Sequence, residues 1–260
     1  MANAGKDWEK IRTIARQLCH SVEHLHQHRI IHGDIKPLNA MRCEDHFLLI
    51  DLDASSVVGE GFAASKVSSA YVPPELVYVK ADGSAAVKMS SGLSVAIEYE
   101  CVRCHYSQDV WALGCTLFEL FSGSKMFLTV SEHYLHILFF LHSIFDIHGM
   151  VLEQDCEDNL DNHNLLKLQL FSDEFKNYRI DLIKDKLARN LIAQMLTKDP
   201  ARRPLMSQVL AHPFFTGRHT ARLVGMAPEF DVFISYRVAS DAHHAERLFH
   251  LLSAHEITVW

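Results

Sequence analysis

A chain of 260 residues has room for one large domain or two ordinary ones, and its 48% apolar and 22% charged residues are those of a globular protein that buries a core. A formal charge of −7 argues against general nucleic-acid binding, so no nucleic-acid partner is expected. The start "MANAGKDWEK" has no apolar signal core, and the most apolar stretch, Tyr134 to Ile147, is broken by histidines and Asp146 before it could span a membrane.

In chain order, Trp8, Ile11, Ile14, Ala15, Leu18, Val22 and Leu25 recur at steps of three and four, which predicts a long amphipathic helix with Asp7 as its N-cap. Ile30–Ile31 and Phe47–Ile50 are short apolar runs, read as two strands closing over the loop between them. Small polar residues from Lys80 to Ser94 read as a mobile insertion. "QDVWALGCTLFELFSG", with Ser107 as its cap and Gly123 at its end, is apolar on nearly every side and belongs in a domain centre. "CVRC", Cys101 to Cys104, is half a zinc site with no second half in the sequence. With six cysteines and no secretory signal, the chain reads as cytoplasmic, with reduced thiols. The 18 histidines read first as compositional drift, with pH-dependent association and solubility as the alternative.

Further on, the acidic "LEQDCEDNLDNHN" lacks the glycine and spacing of a calcium loop and reads as a solvated loop. "DKLARNLIAQML" predicts another amphipathic helix, and "LMSQVLAHPFF" a final short one ended by Pro213. Past Phe215, a linker is followed by "FDVFISY", Phe230 to Tyr236, a run typical of a strand buried on both faces. A helical "DAHHAERLFHLLSAHE" and the short "ITVW" then complete a β-α-β opening.

The chemistry concentrates between Ile30 and Asp53, "IIHGDIKPLNAMRCEDHFLLIDLD". Asp34, Lys36 and Asn39 share one turn. A carboxylate there can hold a hydroxyl and accept its proton. The ammonium can neutralise a moving phosphoryl group, and the amide oxygen can ligate a hard cation. Asp51, at the end of the next apolar run, adds a second oxygen ligand. This set suits phosphoryl transfer, in which a protein mainly positions groups and stabilises charge. A self-bonded Asp–Asn turn would also explain the loop taken alone.

"HGDIKPLN" resembles the protein-kinase catalytic loop, H-R-D-x-x-x-x-N, and "DLD", Asp51 to Asp53, resembles the metal-binding DFG. "YVPPE", ending at Glu75, resembles A-P-E, "DVWALGCTLFELFSG" the buried helix of the kinase C-lobe, and "DPARRP" with "VLAHPFF" the closing helices. These pieces stand in family order from Trp8 to Phe215. The resemblance implies Asp34 as catalytic base, Lys36 steadying the transferred phosphate, and Asn39 and Asp51 holding magnesium. It also implies structural roles for Asp109, which receives the backbone of the "HGD" turn, and for a Glu75–Arg203 pair. "IKP" and Ser68 point to the serine/threonine type.

Three departures stand out. Gly33 replaces the arginine that pairs with a phosphorylated activation loop, so phosphorylation at Ser65, Ser68 or Ser69 is not expected to be the main switch. Asp53 replaces a glycine, which is expected to restrict the flip of that segment. No glycine-rich loop or V-A-I-K lysine precedes the first helix, which leaves half a nucleotide cleft with an apolar floor that invites association. "FDVFISYR" resembles the first box of TIR domains.

The expected fold is therefore mainly α (α+β): a kinase-like C-terminal lobe over 1–217 without an N-lobe, a linker over 218–228, and the truncated β-α-β start of a TIR domain over 229–260. The expected function is transfer of the ATP γ-phosphoryl group to protein serine or threonine hydroxyls with Mg2+. The alternative is a kinase-like scaffold without turnover, linked to TIR-domain partners.

Overall fold

The computed structural model describes residues 8–43, 45–66, 68–90, 99–127 and 158–216, together with residues 243, 246, 247, 249 and 250. The spacing of its apolar residues makes helix α1, Trp8–Gln27, one-sided, and Ile11, Ala15, Leu18, Cys19 and Val22 are buried. Its expected cap, Asp7, lies outside the described residues. Helix α2, Tyr106–Ser122, is buried almost throughout, with Trp111, Leu113, Leu117 and Phe118 at the centre of the core. Trp8 of α1 stacks on Phe121 of α2 at 5.9 Å between ring centroids. Burying a large aromatic side chain contributes about 1.5–3 kcal/mol, so this one helix organises much of the core.

The start of α2 differs from the expectation. His105, not Ser107, is the cap: its side chain accepts from Ser107 N at 3.2 Å, while Gln108 Oε1 accepts from His105 N at 3.2 Å. A reciprocal pair of bonds satisfies two otherwise orphaned donors, and here a histidine nitrogen takes the part usually played by a hydroxyl.

The strands are short and paired locally. β1, Ile30–Ile31, pairs with β4, Ser56–Val57, whereas β2, Ala40–Cys43, pairs with β3, His46–Leu49. The two apolar runs therefore do not pair with each other. Each finds a partner that the hydrophobic pattern did not mark, because Arg42, Ser56 and their neighbours carry the pairing through their backbone.

Residues 80–90 of the presumed insertion are also ordered. β5, Val77–Val79, and β6, Ala85–Val87, form an antiparallel hairpin. Its turn is closed by Asp82 Oδ1, which accepts from Ser84 N at 2.8 Å, and by Gly83 at φ 83°, where a side chain would be strained.

Four helices follow: α3 (Asn162–Leu170), α4 (Asp173–Ile180), α5 (Lys186–Met195) and α6 (Met206–Leu210). The acidic loop thus ends at Asp161, which caps α3 through Asn164 N at 2.8 Å. Pro213 opens a last helix, α7 (Pro213–Thr216), rather than ending α6. At a first helical position the missing N–H costs nothing. α1 lies against β3, α6 and α2, and α2 lies against α5.

The apolar stretch 134–147, the linker 218–228 and the "FDVFISY" and "ITVW" segments fall outside the described residues; His243, Glu246, Arg247, Phe249 and His250 are helical. No helix among the described residues is long and apolar enough to cross a membrane.

Candidate active site

β1 delivers His32 to a buried position, and the chain turns sharply there. Gly33 has φ 79°, and a Cβ at this point would stand 2.5 Å from the Ala54 carbonyl oxygen. Backbone conformation and a close approach therefore both require glycine here. The turn is held from below by Asp109 of α2. Oδ2 accepts from His32 N at 2.8 Å, and Oδ1 accepts from Gly33 N at 3.0 Å. His26 Nε2 of α1 lies 3.0 Å from Oδ2 as well. His32 Nδ1 accepts from Asp34 N at 3.3 Å, which leaves Nε2 to donate to Ile50 O at 3.1 Å.

Asp34 is 5% exposed and Asn39 is 6% exposed. Pro37 starts a 3₁₀ turn, Pro37–Asn39, that swings the amide back toward the aspartate. Asn39 Nδ2 donates to Asp34 O at 2.7 Å and to Asp34 Oδ2 at 3.1 Å. Lys36 Nζ stands 3.4 Å from the same Oδ2 and donates to Ser68 Oγ at 2.7 Å. The three side chains of the turn thus meet around one carboxylate. Asp34 also lines a narrow cleft with Lys66, Ser68 and Tyr71.

Asp51 follows the β2–β3 hairpin, and its side chain meets Lys66, which lines the same cleft as Asp34. Ile50 N donates to Asn39 O at 2.9 Å, which sets Asp51 beside Asn39 in the chain path. Asp51 itself adopts φ 65°. The left-handed residue of the "DLD" segment is therefore Asp51, and Asp53 does not share that conformation; an aspartate tolerates it better than most residues. Lys66 Nζ donates to Asp51 Oδ2 at 2.6 Å. Burial pushes the Asp51 carboxyl up, but the hydrogen bond and charge of Lys66 outweigh it and hold the group below the ordinary aspartate value. A carboxylate and an amide oxygen are the donor types a small divalent cation takes, although among the described residues no group of three or more His, Cys, Asp or Glu side chains stands together as a metal site.

The remaining predicted residues sit deeper. Arg203 Nη1 and Nη2 donate to the two oxygens of Glu75, each at 2.7 Å. Its other donors go to Ser107 O, Thr197 O and Lys198 O, at 3.0, 2.8 and 3.0 Å. The guanidinium also lies over the Trp111 ring, 4.9 Å from its centroid. Ser68 and Ser69 are buried, and Ser65 is exposed. Tyr71 Oη donates to Glu119 Oε2 at 2.8 Å; burial first, then the Glu119 charge, pushes the phenol well above its ordinary range.

Three participants had no sequence signal of their own. Lys66, Asp158, whose Oδ2 lies 3.4 Å from Lys36 Nζ, and Lys125, which pairs with Asp158, enter from distant segments, and no spacing rule links them to the turn. His26 did carry a hint, since it sits at the end of an amphipathic helix one residue past Leu25.

Compared with known families, the chain matches the Protein kinase domain over residues 3–215. Among curated proteins it is similar to Serine/threonine-protein kinase 36 of Mus musculus, 27% identical over 212 residues, which cover 82% of this chain and 12% of the relative. It is also similar to Calcium/calmodulin-dependent protein kinase kinase cmkC of Emericella nidulans, 26% identical over 244 residues, or 87% of this chain and 36% of the relative. Serine/threonine-protein kinase PKZ1 of Phytophthora infestans is 24% identical over 237 residues, with 84% and 47% covered. The chain thus spans less than half the length of these relatives. Among solved structures, the Rad53 kinase domain and SCD2 in complex with AMPPNP aligns at 19% identity with a TM-score of 0.46, covering 81% of this chain and 60% of that one.

Proposed function

This chain belongs to the protein kinase family, and on that premise we propose that it serves serine/threonine phosphoryl transfer, moving the γ-phosphoryl group of ATP to a protein hydroxyl. The observation that carries the reading is the convergence of Asn39 and Lys36 on Asp34 within one buried turn.

In this reading Asp34 accepts the proton of the incoming serine or threonine hydroxyl as its oxygen bonds to the γ-phosphorus and the bond to the β,γ-bridging oxygen breaks. Asn39 fixes the Asp34 carboxylate through Nδ2, so the base is oriented before substrate arrives. Lys36, tied to Ser68 of the activation segment, places positive charge where the transferred group passes. Asp109 keeps the turn in shape from beneath, and Glu75–Arg203 anchors the far end of the segment. Asn39 and Asp51 are the residues that would hold Mg2+, which when bound neutralises charge on the phosphates. The low proton affinity of Asp51 suits that task.

The test is phosphotransfer from ATP to a generic basic protein. Asp34→Asn is expected to lower kcat by about 10²–10⁴-fold at unchanged folding. Equal rates in Asp34→Asn and the unaltered chain would remove the reading.

One contact favours a second reading. Lys66 already occupies the Asp51 carboxylate, and Gly33 cannot be replaced by the family arginine without strain. A chain in which Lys66 never yields would be a kinase-like scaffold, and it would leave Mg-ATP unbound.

A further inference from the structure

Asp158 belongs to none of the catalytic-loop motifs, yet its carboxylate reaches that loop. Oδ2 lies 3.4 Å from Lys36 Nζ, and Oδ1 lies 3.3 Å from Lys125 Nζ. The side chains of Lys36, Asp158 and Lys125 are 15%, 16% and 14% exposed, so this bridge is far less screened than a surface ion pair.

The backbone that presents Asp158 is pinned to the activation segment. Ala70 N donates to Asp158 O at 3.0 Å, and Leu160 N donates to Ser69 Oγ at 2.7 Å. Ser69 Oγ in turn reaches Asn159 Oδ1 at 3.4 Å. The carboxylate is therefore held in place by its own chain and not merely drawn in by charge.

A lysine ammonium is a compact charge on a flexible four-carbon stem with three rotatable donors. Its position is decided by the acceptors that surround it. Lys36 Nζ has Ser68 Oγ at 2.7 Å, with Asp34 Oδ2 and Asp158 Oδ2 both at 3.4 Å. Without Asp158 the only carboxylate in reach among the described residues would be Asp34, the proposed base, and Lys36 would settle on the group it should leave free. A second carboxylate at the same distance divides that attraction.

We propose that Asp158 is a positioning residue for Lys36: it shares the ammonium with Asp34 and so sets where the positive charge stands, while Lys125 holds Asp158 in turn. The contact is independent of catalysis. Its consequence for rate rests on the phosphoryl-transfer reading.

The experiment uses the full chain and reads acetylation of Lys36 by a small acylating reagent, by peptide mass spectrometry, with exposed Lys80 as internal reference. An amine held between carboxylates reacts slowly. Asp158→Asn is expected to raise Lys36 labelling relative to Lys80 by about fivefold, and Asp158→Glu to remain near the unaltered chain. Unchanged Lys36 labelling in Asp158→Asn overturns the proposal.

Should Asp158→Asn fail to fold, Lys125→Met decides. With the competing cation gone, the undivided Asp158 carboxylate is expected to hold Lys36 more closely and lower its labelling about twofold, and no fall overturns the proposal. Where the unaltered chain transfers phosphate, Asp158→Asn is expected to lower kcat about tenfold while KM for ATP stays constant, with partial recovery in Asp158→Glu. A fall in kcat without any change in Lys36 labelling would also overturn it. A chain with no phosphotransfer at all defeats the proposed function, and the labelling result then still settles the role of Asp158.

Discussion

Two charged clusters in this protein are built differently. Around Arg203, all five guanidinium hydrogens have acceptors: two oxygens of Glu75 and three backbone carbonyls. Around Asp51, one carboxylate oxygen meets one lysine, and both side chains are substantially exposed, at 28% and 39%. A saturated cluster has nothing left to offer a ligand and contributes shape. An unsaturated one holds its charge in reserve, and a lysine is a partner that can be exchanged for another cation. On the proposed reading, the difference separates framework from chemistry.

The comparison breaks most visibly at Arg203. Arg203→Met strands the Glu75 carboxylate and three carbonyls, and we expect a loss of about 3–5 kcal/mol in denaturant unfolding. A loss below about 1 kcal/mol would mean the cluster behaves like a surface pair and is not a framework. Gly33→Ala comes next. A Cβ at φ 79° meeting the Ala54 carbonyl at 2.5 Å should lower stability by about 2 kcal/mol, seen as a shift in urea midpoint at constant slope. An alanine variant as stable as the unaltered chain would show that the turn relaxes easily.

The smallest effect belongs to Asp51. Its folded-state value is depressed, so the Lys66 pair contributes stability above the ordinary aspartate value of 3.8 and loses it as pH falls through the lower folded value. The stability difference between the unaltered chain and Lys66→Met should be less than about 1 kcal/mol near neutrality and should vanish in acid. A difference that grows as pH falls would reverse that sign.

Regularity decided what could be read in advance. α1 and α5 repeat apolar residues at helical steps, and most of those residues face the core, although Leu187 is exposed. The turn from Asp34 to Asn39 is short enough that its residues are forced together, so their clustering was legible too. The hairpin of β5 and β6 was not, because Asp82, Gly83 and Ser84 make a turn by side-chain and backbone geometry within a stretch too polar to show alternation. The pairings of β1 with β4 and β2 with β3 were hidden for a related reason: strands this short are held by backbone bonds, which leave no hydrophobic period. Lys66, Lys125 and Asp158 were invisible because what joins them to the turn is the packing of distant segments. Such partners appear only once the chain is folded.

The central claim is that the Asp51 carboxylate is a ligand site with an exchangeable partner. Calorimetric titration of the full chain with Mg-ATP, set against Asp51→Ala, tests it most directly. The account predicts micromolar binding that Asp51→Ala abolishes. Equal affinity in the two proteins, or no binding to the unaltered chain at millimolar nucleotide, would contradict it.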